Sequence, residues 1–371
     1  MTDILAARRN HAAAIARAQN LGALAFVPGA NFTYLTGLHF HLMERPTLLF
    51  VTAQAEIVAI MPELEREKWA QTFPQAQTFY WQDADGYGQA FKDAADALHG
   101  QMVGVEGMRM RVFEAEALRR HFPQGAIMDA EAALTDLRLL KSSDEIAALQ
   151  QAIAISETAL SETIGLIRPG MTERAIAAAL KLRMLSNGAE GFSFDPIVLV
   201  AGNAANPHGV PGDRPLTPGD ALLIDYGASF GGFHADITRT FFCGHTTDDH
   251  AAIYEAVLAA NTKGRDMAGP LVTAHDLDMA VTAVLAASPY ASLIVHKTGH
   301  GLGMDIHEAP QIMRGNHALL VPGTVFTIEP GLYRPGDIGI RIEDNVVTDA
   351  TGAQVLTRFS RELTVIGAQE K

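Results

Sequence analysis

Cysteine is almost absent from this chain, which has a single one, Cys243, among 371 residues. One thiol cannot form a disulfide within the chain, and it cannot supply the several thiolates of a cysteine-rich metal site. Cys243 ends an apolar segment that begins at Thr240. We therefore interpret it as a buried structural residue and look elsewhere for chemistry.

Long apolar runs and an excess of positive charge are also missing. No stretch approaches the roughly 18–20 apolar residues that a membrane helix needs, and the first residues do not resemble a secretory signal. Acidic residues outnumber basic ones by 42 to 28, a formal net charge of −14. This balance argues against nucleic acid or an anionic membrane as a partner. The sequence therefore predicts a cytoplasmic protein that binds neither.

The composition that remains is typical of a soluble globular enzyme, with 48% hydrophobic and 19% charged residues. A chain of this length exceeds a usual single core, so two domains are expected. The first part alternates helix and strand patterns, which favours an α/β layer. The predicted helix covers 6–19, and the predicted strands cover 23–27, 45–51, 55–60 and 102–105.

The pattern changes near Ser142, where Ser142 and Glu145 form a capping box. Apolar residues then recur at helical spacing until Pro169. Strand pairs and two further helices, over 248–268 and 274–287, suggest an α+β domain. We place the boundary within 138–143, which predicts domains 1–140 and 141–371.

Two pairs of acids stand inside apolar strand patterns of the second domain. Asp225 and Asp236 are separated by Gly227, Gly231 and Gly232. If these glycines close a hairpin about its midpoint, the two aspartates face each other directly. Opposed carboxylates repel unless a cation lies between them.

Glu329 and Glu343 repeat this arrangement, with Pro335-Gly336 at the centre of the predicted hairpin. His300, among glycines, adds an imidazole. Alone, each acid would be read as an edge or turn residue, and the histidine as a turn residue. Together, four carboxylates and one imidazole suit two divalent ions.

Strand alternation decides which neighbouring acid stays out of this set. Asp344 follows Glu343 and is expected on the opposite face of the strand. Glu308 follows His307 and is interpreted as a surface group or as a support for the site.

These segments resemble the metal-dependent pita-bread peptidase family, which includes methionine aminopeptidase, prolidase and Xaa-Pro aminopeptidase. The resemblance covers roughly residues 150–365, and the first 135 residues resemble the N-terminal domain of creatinase and prolidase. It implies a C-terminal α+β pita-bread (creatinase/aminopeptidase) fold preceded by a smaller α/β creatinase-like domain. It also implies five metal ligands: Asp225, Asp236, His300, Glu329 and Glu343.

The resemblance further implies roles around the metals. His208 and His307 are expected to contact the substrate carbonyl and the tetrahedral intermediate, so both are predicted as catalytic and substrate-binding. His296 and Arg341 are also predicted as substrate-binding, with His296 expected to shape the site for proline and Arg341 to support the metal shell. The alternative for the histidines is a satisfied structural role.

Three features point to a branch of the family. Methionine aminopeptidases resemble the C-terminal half only, and creatinase-type relatives have lost metal ligands that this chain keeps. Short prolidases often have an arginine four residues after the second histidine, where it binds the dipeptide carboxylate. That position is Gln311 here, and Arg314 is displaced from it. This departure favours an Xaa-Pro aminopeptidase over an Xaa-Pro dipeptidase (prolidase).

The expected mechanism is attack by a metal-bridging hydroxide on the Xaa–Pro carbonyl. Glu329 is predicted to accept the proton and pass it to the leaving nitrogen, while His208 and His307 stabilise the oxyanion. Mn²⁺ is the expected metal, with Co²⁺ or Zn²⁺ as alternatives. The expected partners are a proline-containing peptide and, by resemblance, a second copy of the chain in a homodimer.

Two other functions stay open from the sequence. A family hydrolase of a small non-peptide molecule would need a different pocket, for which His39, His41 and Arg45 are candidates. A binding module on an inactive peptidase fold is disfavoured, because such modules usually lack the ligands that this chain retains.

Overall fold

The computed structural model describes residues 2–367 and divides the chain into two units, Met1–Arg138 and Leu139–Lys371. The division falls within the segment where the sequence pattern changes. Within 2–367, no helix combines the length and apolar character needed to cross a membrane.

The first unit is built on one six-stranded sheet with the order β4-β3-β2-β1-β5-β6. Its strands are β1 Ala23–Phe26, β2 Leu48–Thr52, β3 Ile57–Pro62, β4 Gln77–Trp81, β5 Val103–Val105 and β6 Ile127–Asp129. Its helices are α1 Thr2–Ala18, α2 Ala30–Thr36, α3 Arg66–Thr72, α4 Gly88–Ala97, α5 Val112–Arg119 and α6 Glu131–Leu134. The mixed sheet with interleaved helices confirms the α/β prediction, although the sequence pattern did not indicate β4 and β6.

Over residues 139–367, the second unit has four long helices and several small, mostly antiparallel sheets. The helices are α7 Ser143–Leu166, α8 Glu173–Ser186, α9 Asp248–Met267 and α10 Ala274–Ala286. The strands are β7 Gly191–Phe192, β8 Ile197–Val200, β9 Ala221–Tyr226, β10 Ala228–Phe230, β11 Phe233–His234, β12 Ile237–Cys243, β13 Gly299–Gly301, β14 Glu308–Ile312, β15 Val325–Ile328, β16 Gly331–Arg334, β17 Ile338–Arg341, β18 Asp344–Thr348, β19 Ala353–Val355 and β20 Val365–Ile366.

Helix α7 begins where the capping box predicts. The Ser142 hydroxyl accepts from the Glu145 amide at 3.4 Å, and the Ser142 amide donates to the Glu145 carboxylate at 2.8 Å. Two otherwise unpaired donors at the helix start are thereby satisfied. The helix then buries Leu149, Ile153 and Leu160 against the core. Capping and periodicity together fix this wall of the second unit.

Strand β9 explains how an acid reaches the interior of the second unit. Its alternate residues Leu222, Ile224 and Tyr226 are buried in the core cluster that includes α7 and α8. Leu223, pointing to the opposite face, packs with Leu199. Because side chains alternate along a strand, Asp225 shares the face of Leu223 and is directed away from the helical core.

Candidate metal centre

The glycine turn between Asp225 and Asp236 sets their geometry. Gly231 and Gly232 both have positive φ, 60° and 77°, and they form the two-residue turn of the hairpin. Such a turn favours glycine because other residues are strained there. The turn therefore lies at the two adjacent glycines and not at the midpoint between the aspartates.

This turn makes the predicted register of the aspartates wrong by two residues. Asp225 lies opposite Thr238, and the same register continues through β10 and β11. Because side chains alternate with a period of two, a two-residue shift keeps both aspartates on one face. Asp225 and Asp236 are thus diagonal neighbours, and their carboxylates still converge.

The second acid pair has the register that the Pro335-Gly336 centre predicted. Ile328 pairs with Asp344 in one ladder, and Gly331 pairs with Arg341 in the next. Both ladders share one register, so Glu329 and Glu343 lie opposite each other between them. The Glu343 carboxylate also accepts from the Thr238 hydroxyl at 2.6 Å, which ties this hairpin to β12.

Two close backbone approaches bring His300 to the acids. A Cβ on Gly299 would lie 2.1 Å from the Thr327 carbonyl oxygen, and one on Gly301 would lie 2.1 Å from that of Ala309. Only glycine fits such contacts. The His300 Nε2 atom consequently lies 3.3 Å from a Glu329 oxygen and 3.6 Å from an Asp236 oxygen.

The proton on His300 lies on the far side of its ring. Nδ1 is 3.1 Å from the Gly301 carbonyl, so the neutral tautomer donates there and presents the Nε2 lone pair to the carboxylates. Burial, helped by His307, lowers the pKa of His300 to about 3. The ring is therefore neutral at pH 7 and cannot compensate the acids itself.

The ligand atoms converge to metal-binding distances. Within residues 2–367, three groups of side chains bring their donor atoms within 4.8 Å of one another. Between them the groups contain all five predicted ligands and His307. They are Asp225–Asp236–Glu343, His300–Glu329–Glu343 and Asp236–His300–His307.

The electrostatics of the four acids call for positive charge. Burial and repulsion from the neighbouring carboxylates raise the pKa values of Asp236 and Glu343 well above their usual range. Burial likewise raises the pKa of Glu329 to about 7. The buried Asp225 Oδ1 has no hydrogen-bond partner in the described part of the chain. Oxygen-rich donors, one imidazole nitrogen and an orphaned carboxylate oxygen fit a pair of divalent ions.

Arg341 is fixed by the protein. Its Nη2 donates to Asp225 Oδ2 at 2.5 Å, its Nε to Thr238 at 3.0 Å, and its Nη1 to the Tyr333 hydroxyl at 2.6 Å. All three nitrogens are engaged, and the side chain is buried. These contacts favour the predicted support of the metal ligands over a direct grip on the substrate.

His296 ends the same hydrogen-bond chain. Its Nδ1 donates to the Lys297 carbonyl at 2.7 Å, which leaves Nε2 to accept from the Tyr333 hydroxyl at 2.9 Å. Burial lowers the pKa of His296 to about 4 and raises that of Tyr333 to about 12, so both keep these protonation states at pH 7. Tyr333 was not predicted from the sequence, although it has the strand parity of Glu329.

The acids and histidines line one cavity of about 680 Å³. His208 and His307, both exposed, belong to its lining, and the His307 ring centre lies 3.9 Å from that of His300. Partial desolvation of the His307 ring inside the cavity, followed by the positive charge of Lys297, lowers the pKa of His307. Apolar residues complete the lining and were not predicted; they are Phe194, Ile197, Pro207, Val295, Ile306 and Pro335. The cavity thus joins a charged floor to apolar walls.

Comparison with known families decides the relationship. A model of metallopeptidase family M24 matches residues 147–350, and one of the creatinase/prolidase N-terminal domain matches residues 8–140. This chain belongs to metallopeptidase family M24. The M24 match covers the two acid pairs and His300, so the residues brought together here lie in the peptidase part of the chain.

Individual M24 proteins extend the likeness. The Xaa-Pro dipeptidase of Pyrococcus furiosus is 38% identical over 230 residues, which cover 62% of this chain and 66% of the relative. The crystal structure of dipeptidase PepE from Mycobacterium ulcerans has a TM-score of 0.92 at 32% identity and covers 98% of both chains. X-Pro aminopeptidase from Thermotoga maritima has a TM-score of 0.82 at 28% identity, covering 95% of this chain and 100% of that one.

These likenesses confirm the predicted fold and enzyme class. The second unit has the pita-bread fold of M24, and the first is a creatinase-type N-terminal domain. The protein is a metalloexopeptidase, and its family implies bound divalent metal ions.

Proposed function

We propose that this enzyme hydrolyses the bond between an N-terminal residue and a following proline in short peptides. The observation that carries the proposal is the convergence of four carboxylates and the His300 lone pair on one cavity. Relatives named as Xaa-Pro dipeptidase and X-Pro aminopeptidase support the substrate class.

In this proposal Asp225, Asp236, His300, Glu329 and Glu343 hold two divalent ions, with Mn²⁺ the first candidate. When bound, the ions supply an acidified water as nucleophile and Lewis acidity at the scissile carbonyl. Arg341 keeps Asp225 in place, and Thr238 keeps Glu343 in place, through the hydrogen bonds described above.

The remaining chemistry is assigned to the chain's own groups. Glu329, which is partly open to the cavity, accepts the proton of the attacking water and passes it to the leaving proline nitrogen. His307 and His208 line the cavity and donate to the oxyanion, worth about 3 kcal/mol for a well-placed donor. Apolar residues such as Phe194 and Ile197 give the proline ring a dry contact surface.

Two lengths of substrate fit this site. We place the dipeptide first, because it rests on the cavity's charge distribution and on relatives named as dipeptidases. The longer peptide, favoured in the sequence analysis by Gln311, is the second candidate. A homodimer, a manganese preference and a cytoplasmic location stay predictions.

The non-peptide alternative is weakened within the first unit. Arg45, one of its candidate residues, donates to Asp83 at 2.7 Å and to Glu44 at 2.7 Å. Its charge is therefore already matched by acids of the protein, and the guanidinium is not held ready for a small-molecule ligand.

The test is release of the first residue from Ala-Pro and Ala-Pro-Ala by protein loaded with Mn²⁺, Co²⁺ or Zn²⁺. We expect cleavage before proline, and its loss on exhaustive chelation. Ala-Ala and Ala-Ala-Ala serve as matched peptides without proline. Absence of any Xaa-Pro cleavage by protein that binds two ions would overturn the proposal in favour of a non-peptide substrate.

A further inference from the structure

We propose that Lys297 binds the terminal carboxylate of the substrate and thereby makes dipeptides the preferred class. This inference rests on the proposed function and deepens it. The observation behind it is the distribution of positive charge in the cavity.

Two basic side chains, Arg341 and Lys297, belong to the cavity lining. Arg341 is buried and donates from every nitrogen to the protein, as described above. Lys297 is exposed, and within residues 2–367 its ammonium contacts the Gln311 amide and forms no ion pair with a carboxylate. Of these two cations, Arg341 is therefore paired with an acid of the protein and Lys297 is not.

A neutral side chain holds the Lys297 ammonium. Lys297 Nζ donates to Gln311 Oε1. The same amide donates from Nε2 to the Glu308 carbonyl at 3.0 Å, which fixes the orientation of its oxygen. The backbone carbonyl of Gln311 accepts from Asn316 Nδ2 at 2.7 Å. Gln311 thus positions the lysine without neutralising it.

The location of this pair is set by strand register. Gln311 on β14 lies opposite His300 on β13. Lys297 precedes His300 by three residues, so the ammonium is anchored beside the strand that supplies the imidazole. Its charge also contributes to lowering the pKa values of His296, His300 and His307, which places it within electrostatic reach of the whole histidine group.

The chemistry selects a carboxylate. An ammonium has three donors, and Gln311 accepts one, so two are available to an anion. With two divalent ions bound, the charge of the four carboxylates would be balanced, so Lys297 would be the cation left to hold a terminal carboxylate. In an Xaa-Pro dipeptide the carboxylate follows the scissile bond by one residue, whereas a longer peptide presents a neutral amide there. Charge-assisted hydrogen bonds are about twice as strong as neutral ones, which gives the dipeptide its advantage.

The experiment compares Ala-Pro with Ala-Pro-amide, which have the same size and differ in charge. For the metal-loaded wild type, we expect kcat/KM to be higher for the acid. Lys297→Met should lower it about ten-fold for the acid, chiefly through KM, and change it less than two-fold for the amide. Lys297→Arg should restore the preference for the acid. Lys181→Met is the matched control, because Lys181 pairs with Asp195 outside the cavity lining.

A second variant tests charge without removing the lysine. Gln311→Glu places a carboxylate against the Lys297 ammonium, so the preference for the acid should fall as far as in Lys297→Met. An acid-to-amide ratio that stays at the wild-type value in both variants would overturn the inference.

Binding separates this inference from the proposed function. Calorimetric titration of metal-depleted protein, which has no turnover, should show Ala-Pro binding more tightly than its amide in the wild type and no more tightly than the amide in Lys297→Met. If the loaded wild type cleaves neither peptide, the proposed function fails while Lys297-dependent binding still upholds the carboxylate site. If Ala-Pro still binds more tightly than its amide in Lys297→Met, the assignment of the carboxylate site to Lys297 is overturned.

Discussion

Glu343 and Asp344 are neighbours in the chain, yet the two faces of their strand treat charge in opposite ways. Asp344 is fully buried and accepts from Arg239 at 2.7 Å and from Arg265 at 3.2 Å, with Arg361 at 3.9 Å. Glu343 is equally buried but has a threonine hydroxyl as its partner and three other acids nearby.

The difference shows that this protein does supply its own cations where a buried acid is structural. Around Asp344, positive charges from three separate segments of the chain surround one carboxylate. Around the cavity floor, four carboxylates share Arg341. A buried charge without a partner is unfavourable. The four carboxylates of the cavity floor are therefore explained by divalent ions that bind from solution and balance their charge.

The largest expected effect is on catalysis at the cavity face. Asp236→Asn or Glu343→Gln should reduce kcat/KM by about a thousand-fold or more, because metal ions contribute several kcal/mol of transition-state stabilisation. Circular dichroism should show the fold unchanged. Steady-state kinetics with metal analysis of the same samples checks this, and full activity in either variant would refute the ligand assignment.

On the opposite face, substitution of Asp344 should change the stability of the fold. Asp344→Asn should lower the free energy of unfolding by about 3–5 kcal/mol, because it leaves buried arginines without their anion. The loss should be the same with and without added metal. Urea denaturation measures it. If Glu343→Gln destabilises the metal-free protein as strongly as Asp344→Asn, the contrast between the two faces is lost.

The pH dependence of the metal-free protein sharpens the comparison. The pKa of Glu329 rises from 4.5 to about 7 on folding, mainly through burial. Between these values the folded state binds more protons than the unfolded state, so stability falls as pH rises. Relative to Glu329→Gln, the chelator-treated wild type should lose about 3 kcal/mol between pH 5 and pH 8. Parallel curves for the two proteins would contradict this origin of the shift.

The smallest effect concerns the hydrogen-bond chain behind the ligands. Tyr333→Phe removes the acceptor of Arg341 and the donor to His296. A buried unsatisfied group costs about 1–3 kcal/mol, so kcat should fall about ten-fold. Tyr290→Phe is the control, because that hydroxyl bonds Asp249 on the surface. Equal kinetics for the two variants would remove Tyr333 from the account.

The pairing of the glutamates and the face of each acid could be predicted from the sequence, because turn residues and strand alternation are local, periodic signals. The Pro335-Gly336 centre placed Glu329 opposite Glu343, and alternation separated Glu343 from Asp344. The aspartate hairpin was misaligned because three glycines offered different turns, and only the backbone shows that Gly231 and Gly232 form it.

Contacts made by residues outside regular strands could not be predicted from the sequence. Lys297 precedes β13, so alternation does not fix its direction, and its contact with Gln311 depends on the register of two strands. Gln311 alone therefore pointed to longer peptides, whereas its position against a lysine supports a dipeptide. The Tyr333 contacts likewise could not be predicted from the sequence, because they join β16 to side chains outside that strand, those of His296 and Arg341.

The most direct test of the central claim is the number of divalent ions that the cavity binds. Calorimetric titration of metal-depleted protein with Mn²⁺, checked by anomalous diffraction from manganese-soaked crystals, should show two ions among Asp225, Asp236, His300, Glu329 and Glu343. Asp344→Asn should retain both, and Glu343→Gln should lose at least one. Fewer than one ion per chain in the wild type, or ions bound away from these side chains, would contradict the account.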